Sequence, residues 1–396
     1  MRTYVLGAGA SYPIYPLGGT LFMAIDEHIQ NCGHCVNRFD YQTDWPKLKE
    51  WLANNSNPLL RQAYWNGNIE QIFTVLDLAE GLISDSYSSM FRAAKKGVKE
   101  VKEAEAHHDS FAAEIEEYRD ARSKLLWAME DFFLQRNYND SKDYSSDSWI
   151  NLKRFGALLD PGDIVVTFNY DSTIERVLLD LGKWTLSDGY GTDLVFQHNN
   201  YDTTLVTFPL SKVKVLHLHG AVGWYAKPVF SPTFDLSVEG GGSIPREALS
   251  VAPLETEIAL DPLLLQGLGI YNVDASLPRR PPDEYQIMLH PSFLKEYGGE
   301  DRRKGIFNRL WRMALDALRN ADEVTIIGYS LPPADSAAWT LLHTGCERGR
   351  TIVVNPSKAD LMNRYSNLLK LSAFAQPMDL GAWLDSKELA SCRTTE

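Results

Sequence analysis

The sequence predicts an α/β fold, namely a parallel sheet with helices on both faces plus an inserted, mainly helical module. Short apolar runs alternate with helical patterns near both ends of the chain, which favours strands joined by helical crossovers. Residues 31–150 carry helical patterns and no convincing strand. We therefore expect a discontinuous domain at 1–30 and 151–385, a helical insertion at 31–150, and a tail at 386–396.

The first predicted unit is a strand, a glycine turn and a helix. A β-rich run at 3–6 precedes Gly7 and Gly9. Four apolar residues then recur at helical spacing: Leu21, Phe22, Ile25 and Ile29. Small residues let main-chain N–H groups and a helix N-terminus reach a phosphate, so this unit is a candidate anion site. A Gly-x-Gly turn that serves packing alone is the commoner alternative.

The residues that follow disfavour a dehydrogenase and a metal centre. A dehydrogenase needs a second strand that ends in an acidic residue about 20 residues further on. Here Asp26 and Glu27 lie on the predicted helix instead. Cys32 and Cys35 in "NCGHC" have ligand-like spacing, but a structural zinc site needs four ligands and no second CxxC exists. We therefore expect no metal.

The predicted insertion contains three kinds of helical segment. An apolar stripe runs along 69–79, as in an amphipathic helix. The mixed-charge segment at 95–122 predicts a solvated helix, favoured over a partner-binding arm. A strong apolar face then returns at 125–133.

Two further strand ends carry polar side chains. "IVVTF" at 164–168 is an apolar run typical of a strand buried on both faces, and Asn169 and Asp171 follow it. Open parallel sheets bind ligands at this end of their strands. Capping of the next helix is the alternative for Asp171, but it does not explain Asn169. "KVKVLHLHG" ends at His219, with His217 as an obvious structural histidine. About 80 residues rich in loops, Pro and Gly follow.

The last two strand ends lie near the C-terminus. In "IIGYSLPPAD" and "VVNPS", hydrophobic runs break into small and polar residues, so Ser330 and Asn355 could hold ribose hydroxyls. Ordinary turn chemistry is the alternative. Each of the five strand ends is weak support alone, but their order is much less expected by accident.

Charge and composition exclude several classes of partner. The chain has 396 residues, 39 basic and 52 acidic, for a formal charge of −13. This charge opposes a large uniform attraction to nucleic acid or an anionic membrane. No signal peptide or membrane span is recognisable, and four cysteines make no disulfide framework. We expect a cytoplasmic protein without direct nucleic-acid or membrane contacts.

The ordered set "GAGAS", "NYD", "LHG", "GYSL" and "VNP" resembles the sirtuin-like NAD-consuming domains, in particular their prokaryotic branch in antiviral defence. The resemblance implies a Rossmann-like NAD-binding domain in which NAD is the substrate. It makes Asn169 and His219 the catalytic residues. It implies that NAD is held by a further set of residues: Gly7, Ala8, Gly9, Ala10 and Ser11 around the pyrophosphate, Asp171 at the carboxamide, and Gly328, Ser330 and Asn355 on the adenosine side.

Two departures from the family pattern bear on the reaction. Residues 221–303 contain no cysteine, so the zinc ribbon of sirtuin deacylases is missing, and no Asp-Phe-Arg run follows the glycine turn. Both departures favour water as acceptor, which would release nicotinamide and ADP-ribose. Protein deacylation or ADP-ribosyl transfer is the enzymatic alternative. A non-catalytic NAD or ADP-ribose sensor that gates a partner is the alternative of another class.

The resemblance also implies assembly. Single-domain members of this size are associated with a HerA-type ATPase, and large homo-oligomers are common among them. We expect a homo-oligomer and a HerA-type ATPase partner on this ground alone. The helical insertion is the candidate for self-association, and the tail is the candidate for partner contact.

Overall fold

In the computed structural model, a six-stranded parallel sheet forms the centre of the described residues. The structure describes the following ranges: 1–31, 40–80, 101–140, 146–186, 188–191, 210–227, 257–260, 264, 285–288, 304–332, 335–347, 350–356, 359–369, 374–376 and 378–393. The strands of this sheet are β1 (Arg2–Leu6), β2 (Ile164–Thr167), β3 (Lys214–His217), β7 (Glu323–Ile327), β8 (Arg350–Val354) and β9 (Phe374–Gln376).

The strand order is β3-β2-β1-β7-β8-β9, and every neighbouring pair is parallel. Numbered within this sheet alone, the order is 3-2-1-4-5-6, which is that of a doubly wound, Rossmann-like fold. Right-handed crossovers on the two sides of β1 place the helices on both faces. The predicted α/β fold is therefore confirmed, and the five strands predicted around the site motifs all lie in this sheet.

The helices follow the apolar patterns of the sequence. Their bounds are α1 (Gly18–Asn31), α2 (Asp44–Asn54), α3 (Pro58–Trp65), α4 (69–80), α5 (Val101–Asp140), α6 (Asp147–Leu158), α7 (Thr173–Asp180), α8 (Lys304–Asn320), α9 (Ser336–Gly345), α10 (Ala359–Leu369) and α11 (Leu380–Arg393). The four apolar residues predicted for α1 and the stripe of α4 are buried, as expected for faces that pack on the core. None of the helices in these ranges combines the length and apolar character needed to cross a bilayer.

The described residues of 31–150 form helices joined by short turns, and no strand lies among them. The long α5 has exposed residues over 112–120 apart from Ile115 and Tyr118, and buried residues at Leu125, Met129, Phe132 and Phe133. Helix α6 spans position 150, and α11 runs through position 385, so both of these expected domain boundaries fall inside helices. Arg154 of α6 joins the two helices through Asp385 and Glu388, with N–O distances of 2.7 and 2.9 Å.

A second sheet follows β3, in the stretch described from the sequence as rich in loops, Pro and Gly. Strand β4 (Gly220–Lys227) pairs antiparallel with β5 (Glu257–Leu260) and β6 (Tyr285–Met288). None of these three strands was identified from the sequence, because short strands in a Gly- and Pro-rich context give little periodicity. Gly220, which has a φ of 73°, lets the chain leave β3 and enter β4 directly.

Helices α8 and α9 pack closely at one glycine. A Cβ at Gly345 would lie 2.7 Å from the Cβ of Leu318, which is buried. Gly305, near the start of α8, has no atom within 4 Å of the same position. Alanine substitutions at these two glycines therefore distinguish the effect of helix propensity on stability from the effect of packing.

We predict that Gly345→Ala lowers the free energy of unfolding by about 1–3 kcal/mol, because the added methyl group overpacks a buried contact. Gly305→Ala is the matched control and should be neutral or stabilising by up to about 1 kcal/mol, since alanine favours the helix. Denaturant unfolding measures both values. Equal effects of the two substitutions would contradict the contact.

Candidate functional site

The five strand ends singled out in the sequence form one continuous edge of the sheet. Beyond the paired strands, the ladders extend through four main-chain hydrogen bonds: Leu218 N to Thr167 O (3.0 Å), Phe168 N to Leu6 O (3.1 Å), Gly7 N to Ile327 O (3.0 Å) and Gly328 N to Val354 O (3.0 Å). Within the ladder, Thr167 lies opposite His217. Asn169 and His219 are thus each two residues beyond an opposed pair, at the carboxyl edge where open parallel sheets bind ligands.

The glycines after β1 and β7 are needed for a close backbone contact. Gly9 N donates to Gly328 O at 2.9 Å. A Cβ at Gly328, whose φ is 63°, would lie 2.3 Å from the nitrogen of Ala10. A Cβ at Gly7 would lie 2.4 Å from the Cα of Tyr329. The packing explanation for the Gly-x-Gly turn is therefore correct, and the contact lies at the switch point of the strand order.

The same turn uses much of its own hydrogen-bonding capacity. The N–H groups of Gly7, Gly9 and Ala10 donate to Ile327, Gly328 and Gly7 carbonyls, at 3.0, 2.9 and 2.8 Å. These three groups do not point at a ligand. Ala8 and Gly9 are exposed, so a ligand can reach this part of the turn. Pyrophosphate binding by residues 7–11 stays a prediction.

Helix α1 does not follow the glycine turn directly. A 3₁₀ turn covers Ala8–Ala10, and α1 begins only at Gly18. A Cβ at Gly18 would lie 3.1 Å from Oε1 of Glu70, so a carboxylate lies at the N-terminus of this helix. A negative side chain there already interacts favourably with the helix dipole and opposes a phosphate at the same place.

Asn169 is tied to the glycine turn by its side chain. Its Nδ2 donates to Gly7 O and to Ser11 Oγ, each at 3.1 Å, and Asn169 is 8% exposed. Gly7 O can only accept, so the amide orientation follows from its partner. Both Nδ2 hydrogens are used, and Oδ1 has no hydrogen-bond partner among the described residues. Oδ1 is therefore the group that can accept a hydrogen bond from a ligand.

A chain of hydroxyl groups continues from Asn169 to Asp171. Ser11 Oγ lies 3.3 Å from Thr173 Oγ1, which donates to Asp171 Oδ1 at 2.6 Å. Thr173 N also donates to Asp171 Oδ1, at 3.1 Å. Asp171 therefore caps the start of α7, which is the alternative role given to it in the sequence analysis. Burial raises the pKa of Asp171, although the hydrogen bonds from Thr173 and Ser11 oppose the shift. Ser11 and Asp171 are both buried.

His219 is held by a residue that the sequence analysis missed. Its Nε2 lies 3.2 Å from Asp335 Oδ2, and both side chains are buried. Tyr329 donates its hydroxyl to the same oxygen at 3.0 Å. Asp335 also caps α9 through Ala338 N at 3.3 Å. In the sequence, Asp335 carries only the signal of a helix cap, which says nothing about a histidine 116 positions away.

Aromatic rings connect the two halves of the edge. Phe168 and Tyr329 stack with ring centroids 4.4 Å apart. The ring of His219 lies 5.1 Å from that of Phe168. Because Phe168 precedes Asn169 and Tyr329 follows Gly328, this stack fixes the spacing between the predicted catalytic residues and the glycine contact.

The residues expected on the adenosine side are less closely connected. Asn355 is buried, and its Nδ2 donates to Tyr329 O at 3.4 Å. Ser330 is exposed beside it. Gly328 contacts the turn at Gly9 as described above. The edge therefore brings Gly7, Ser11, Asn169 and Asp171 into one network, while His219 joins it through Phe168.

Two remaining sequence interpretations concern histidine and metal. His217 is completely buried, which agrees with its interpretation as a structural histidine. Cys32 and Cys35 lie outside the described residues. Among the residues that the structure does describe, no group of three or more His, Cys, Asp or Glu side chains is arranged to hold a metal ion.

Comparisons with known proteins add no assignment, since no protein-family model and no curated protein matches this chain.

We predict that Gly328→Ala lowers the free energy of unfolding, because the added methyl group meets the backbone of Ala10. The loss should be clearly larger than the cost of about 1–2 kcal/mol expected for placing alanine in a left-handed conformation. Gly182→Ala is the matched control, since Gly182 has a φ of 62° and no atom within 4 Å of the added Cβ. Thermal and denaturant unfolding compare the two variants. Equal losses would contradict the contact between the two turns.

Proposed function

We propose that this protein is an NAD glycohydrolase that cleaves NAD to nicotinamide and ADP-ribose. The observation that carries the proposal is the position of Asn169, whose side chain joins the end of β2 to the glycine turn after β1 and leaves Oδ1 without a partner among the described residues. A dinucleotide bound across the switch point of a Rossmann-like sheet passes this place. The ordered motifs shared with sirtuin-like domains support the same reaction.

Cleavage of NAD to nicotinamide and ADP-ribose does not require acid catalysis by the protein. The bond from the ribose C1′ to nicotinamide leaves a neutral pyridine, so no general acid is needed and paired carboxylates are unnecessary. The site must instead hold the ribose, accommodate an oxocarbenium-like transition state and deliver water. An amide oxygen and an imidazole suffice for these tasks.

Asn169 and His219 take the central roles in this proposal. Oδ1 of Asn169 accepts a hydrogen bond from the attacking water or from a ribose hydroxyl, and so orients it beside C1′. His219 acts as general base toward a ribose hydroxyl or water. Asp335, at 3.2 Å from Nε2 of His219, orients the ring and stabilises its protonated form.

The remaining predicted residues would bind the rest of the substrate. The exposed surface at Ala8 and Gly9 would lie against the pyrophosphate. Asp171 would accept from the carboxamide through the oxygen that Thr173 does not occupy. Ser330 and Asn355 would contact the adenosine ribose. The substrate pool would be cytoplasmic NAD, and its depletion would serve antiviral defence.

A non-catalytic NAD or ADP-ribose sensor is the second candidate. It is favoured by the internal use of the polar groups, since both Nδ2 hydrogens of Asn169 bond to the protein and Asp171 caps α7. A sensor would bind NAD and return it intact. A homo-oligomer or a HerA-type ATPase partner would fit either candidate, and the native mass of the complex tests both forms of assembly.

We expect the purified protein to release nicotinamide from NAD, and Asn169→Ala and His219→Ala to lower this rate by about 10²-fold or more. Chromatography of the products measures release, with and without a candidate ATPase partner. Asn320→Ala is the control, because Asn320 is exposed at the end of α8 and should keep the wild-type rate. Recovery of intact NAD would reject hydrolysis, and equal release from Asn169→Ala would reject the proposed catalytic role of Asn169. Release that requires an acylated peptide or a protein acceptor would instead favour group transfer.

We further predict that Asp335→Asn lowers the rate of release less than the about 10²-fold expected from removing the base itself. Asparagine keeps the cap of α9 but removes the charge that faces His219. Ser336→Ala is the control, since Ser336 is the exposed next residue. A pH–rate profile of each variant distinguishes the two effects. An unchanged profile in Asp335→Asn would reject this role of Asp335.

A further inference from the structure

A buried carboxylate–histidine pair lies directly beneath Asn169. His217 and Glu175 each have fully buried side chains, and His217 Nε2 makes a short hydrogen bond to Glu175 Oε1. On the other side of the ring, His217 Nδ1 lies 3.0 Å from the main-chain oxygen of Asn169. Both ring nitrogens therefore face oxygen atoms. Neither NAD binding nor the roles given above to Asn169 and His219 require this arrangement.

The identity of the two oxygens decides where the protons lie. A main-chain carbonyl can only accept, so Nδ1 of His217 carries a hydrogen. An ionised Glu175 also accepts, so Nε2 carries a second hydrogen and the ring is an imidazolium. If the proton lies on Glu175 instead, the pair still holds one proton more than a neutral histidine beside a carboxylate. The hydrogen bond to Asn169 thus requires a proton shared between His217 and Glu175.

The surroundings favour this protonated pair. Burial lowers the pKa of His217, but Glu175, the carbonyl of Asn169 and the charge of Asp171 raise it, and the net shift is upward. Tyr190 faces the ring edge-on at 5.8 Å, and burial raises the pKa of Tyr190, which keeps that phenol neutral. Trp224 of β4 packs against the same ring at 5.4 Å. Water is thus kept from the pair by aromatic side chains.

We propose that the Glu175–His217 pair is the positioning unit of Asn169, holding its main chain so that Nδ2 reaches the glycine turn and Oδ1 faces the substrate. Neither residue touches the substrate. The role rests on the proposed hydrolysis, because Asn169 must act on NAD for its position to affect a rate. The hydrogen bonds themselves exist whether or not the protein is an enzyme.

Loss of the shared proton has a defined consequence. A neutral ring has one N–H, and the carboxylate is the stronger acceptor, so Nε2 keeps the hydrogen. The carbonyl of Asn169 then loses its donor in a buried place, which is costly. A histidine with a raised pKa contributes its stability below its ordinary pKa of about 6.5 and loses it as pH rises through the folded-state pKa. We therefore expect Asn169 to lose its fixed position as the pH rises through the folded-state pKa of His217.

Glu175→Gln separates the pH effect from a general structural effect. A glutamine can donate from its side-chain nitrogen to Nε2 of a neutral His217, which leaves Nδ1–H free to bond the carbonyl of Asn169. Both ring nitrogens of His217 then have a hydrogen-bond partner without a titrating proton. We predict that the fall of kcat at alkaline pH disappears in this variant. His217→Leu removes the donor altogether and should lower kcat by up to about 10²-fold at every pH, with a smaller effect on KM.

Asp131→Asn is the matched control. Asp131, on α5, forms a partly buried carboxylate–histidine contact with His28 at 3.3 Å, away from the pair at Asn169 and from the His219–Asp335 contact. This variant should keep the wild-type pH profile. If Glu175→Gln keeps the alkaline fall, or if Asp131→Asn loses it, the positioning role is rejected.

A measurement without substrate tests the pair independently of hydrolysis. The chain has nine histidines, so ¹⁵N NMR of histidine-labelled protein, assigned with His217→Leu, can follow the ring of His217. We expect both ring nitrogens to be protonated at pH 7, or Nδ1 to be protonated with Nε2 accepting from Glu175. A neutral ring with hydrogen on Nε2 alone would overturn the proposal even if NAD is cleaved. If NAD is not cleaved, hydrolysis fails while this spectrum still decides the state of the pair.

Discussion

The backbone contact between the turns after β1 and β7 is the constraint on which the rest of the site depends. Gly9 and Gly328 meet at 2.9 Å, a distance that leaves no room for a Cβ on Gly328. Strands β1 and β7 are the neighbours at which a doubly wound sheet reverses its order. At the switch point between β1 and β7, the surface that would face a ligand is therefore formed by main-chain atoms of the two turns. Side chains that act on a ligand must come from the strand ends on either side.

The polar side chains at this edge are bonded into the core before they meet any ligand. Asn169, Asp171, Ser11 and Thr173 are buried and bond to one another or to the glycine turn. An unpaired polar group at such depth would cost about 1–3 kcal/mol, so this network has one favourable arrangement. Oδ1 of Asn169 remains without a hydrogen-bond partner among the described residues. Rigidity of this kind suits a site that orients a water molecule or a ribose hydroxyl.

The two predicted catalytic residues are supported by separate acidic partners. Glu175 acts on Asn169 through His217 and its main-chain contact, and Asp335 acts on His219 directly. Phe168, which precedes Asn169, stacks on Tyr329, whose hydroxyl donates to Asp335. Burial lowers the pKa of His217, but the carboxylate of Glu175 raises it, and the net shift of this pKa is upward. The chemistry proposed for the edge thus depends as much on Glu175 and Asp335 as on the residues that would touch NAD.

Much of this arrangement was predictable from the sequence by itself. The apolar runs identified the strands that carry Asn169, His219 and the two glycine turns, because strands buried on both faces need continuous apolar residues. The motif order placed these residues at one edge, and the burial of His217 agrees with its interpretation as structural. The short strands β4–β6 were missed because their pattern is too brief to separate from loops.

Only the tertiary structure decided which partners these residues have. It assigned Gly7 and Gly9 to packing against the turn at Gly328, placed the carboxylate of Glu70 at the start of α1, and paired His219 with Asp335. It also left Oδ1 of Asn169 as the acceptor by using both Nδ2 hydrogens elsewhere. The sequence determines residue type and strand position, which are local properties. Hydrogen-bond partners and close contacts join residues more than 100 positions apart, and these depend on how the whole chain folds.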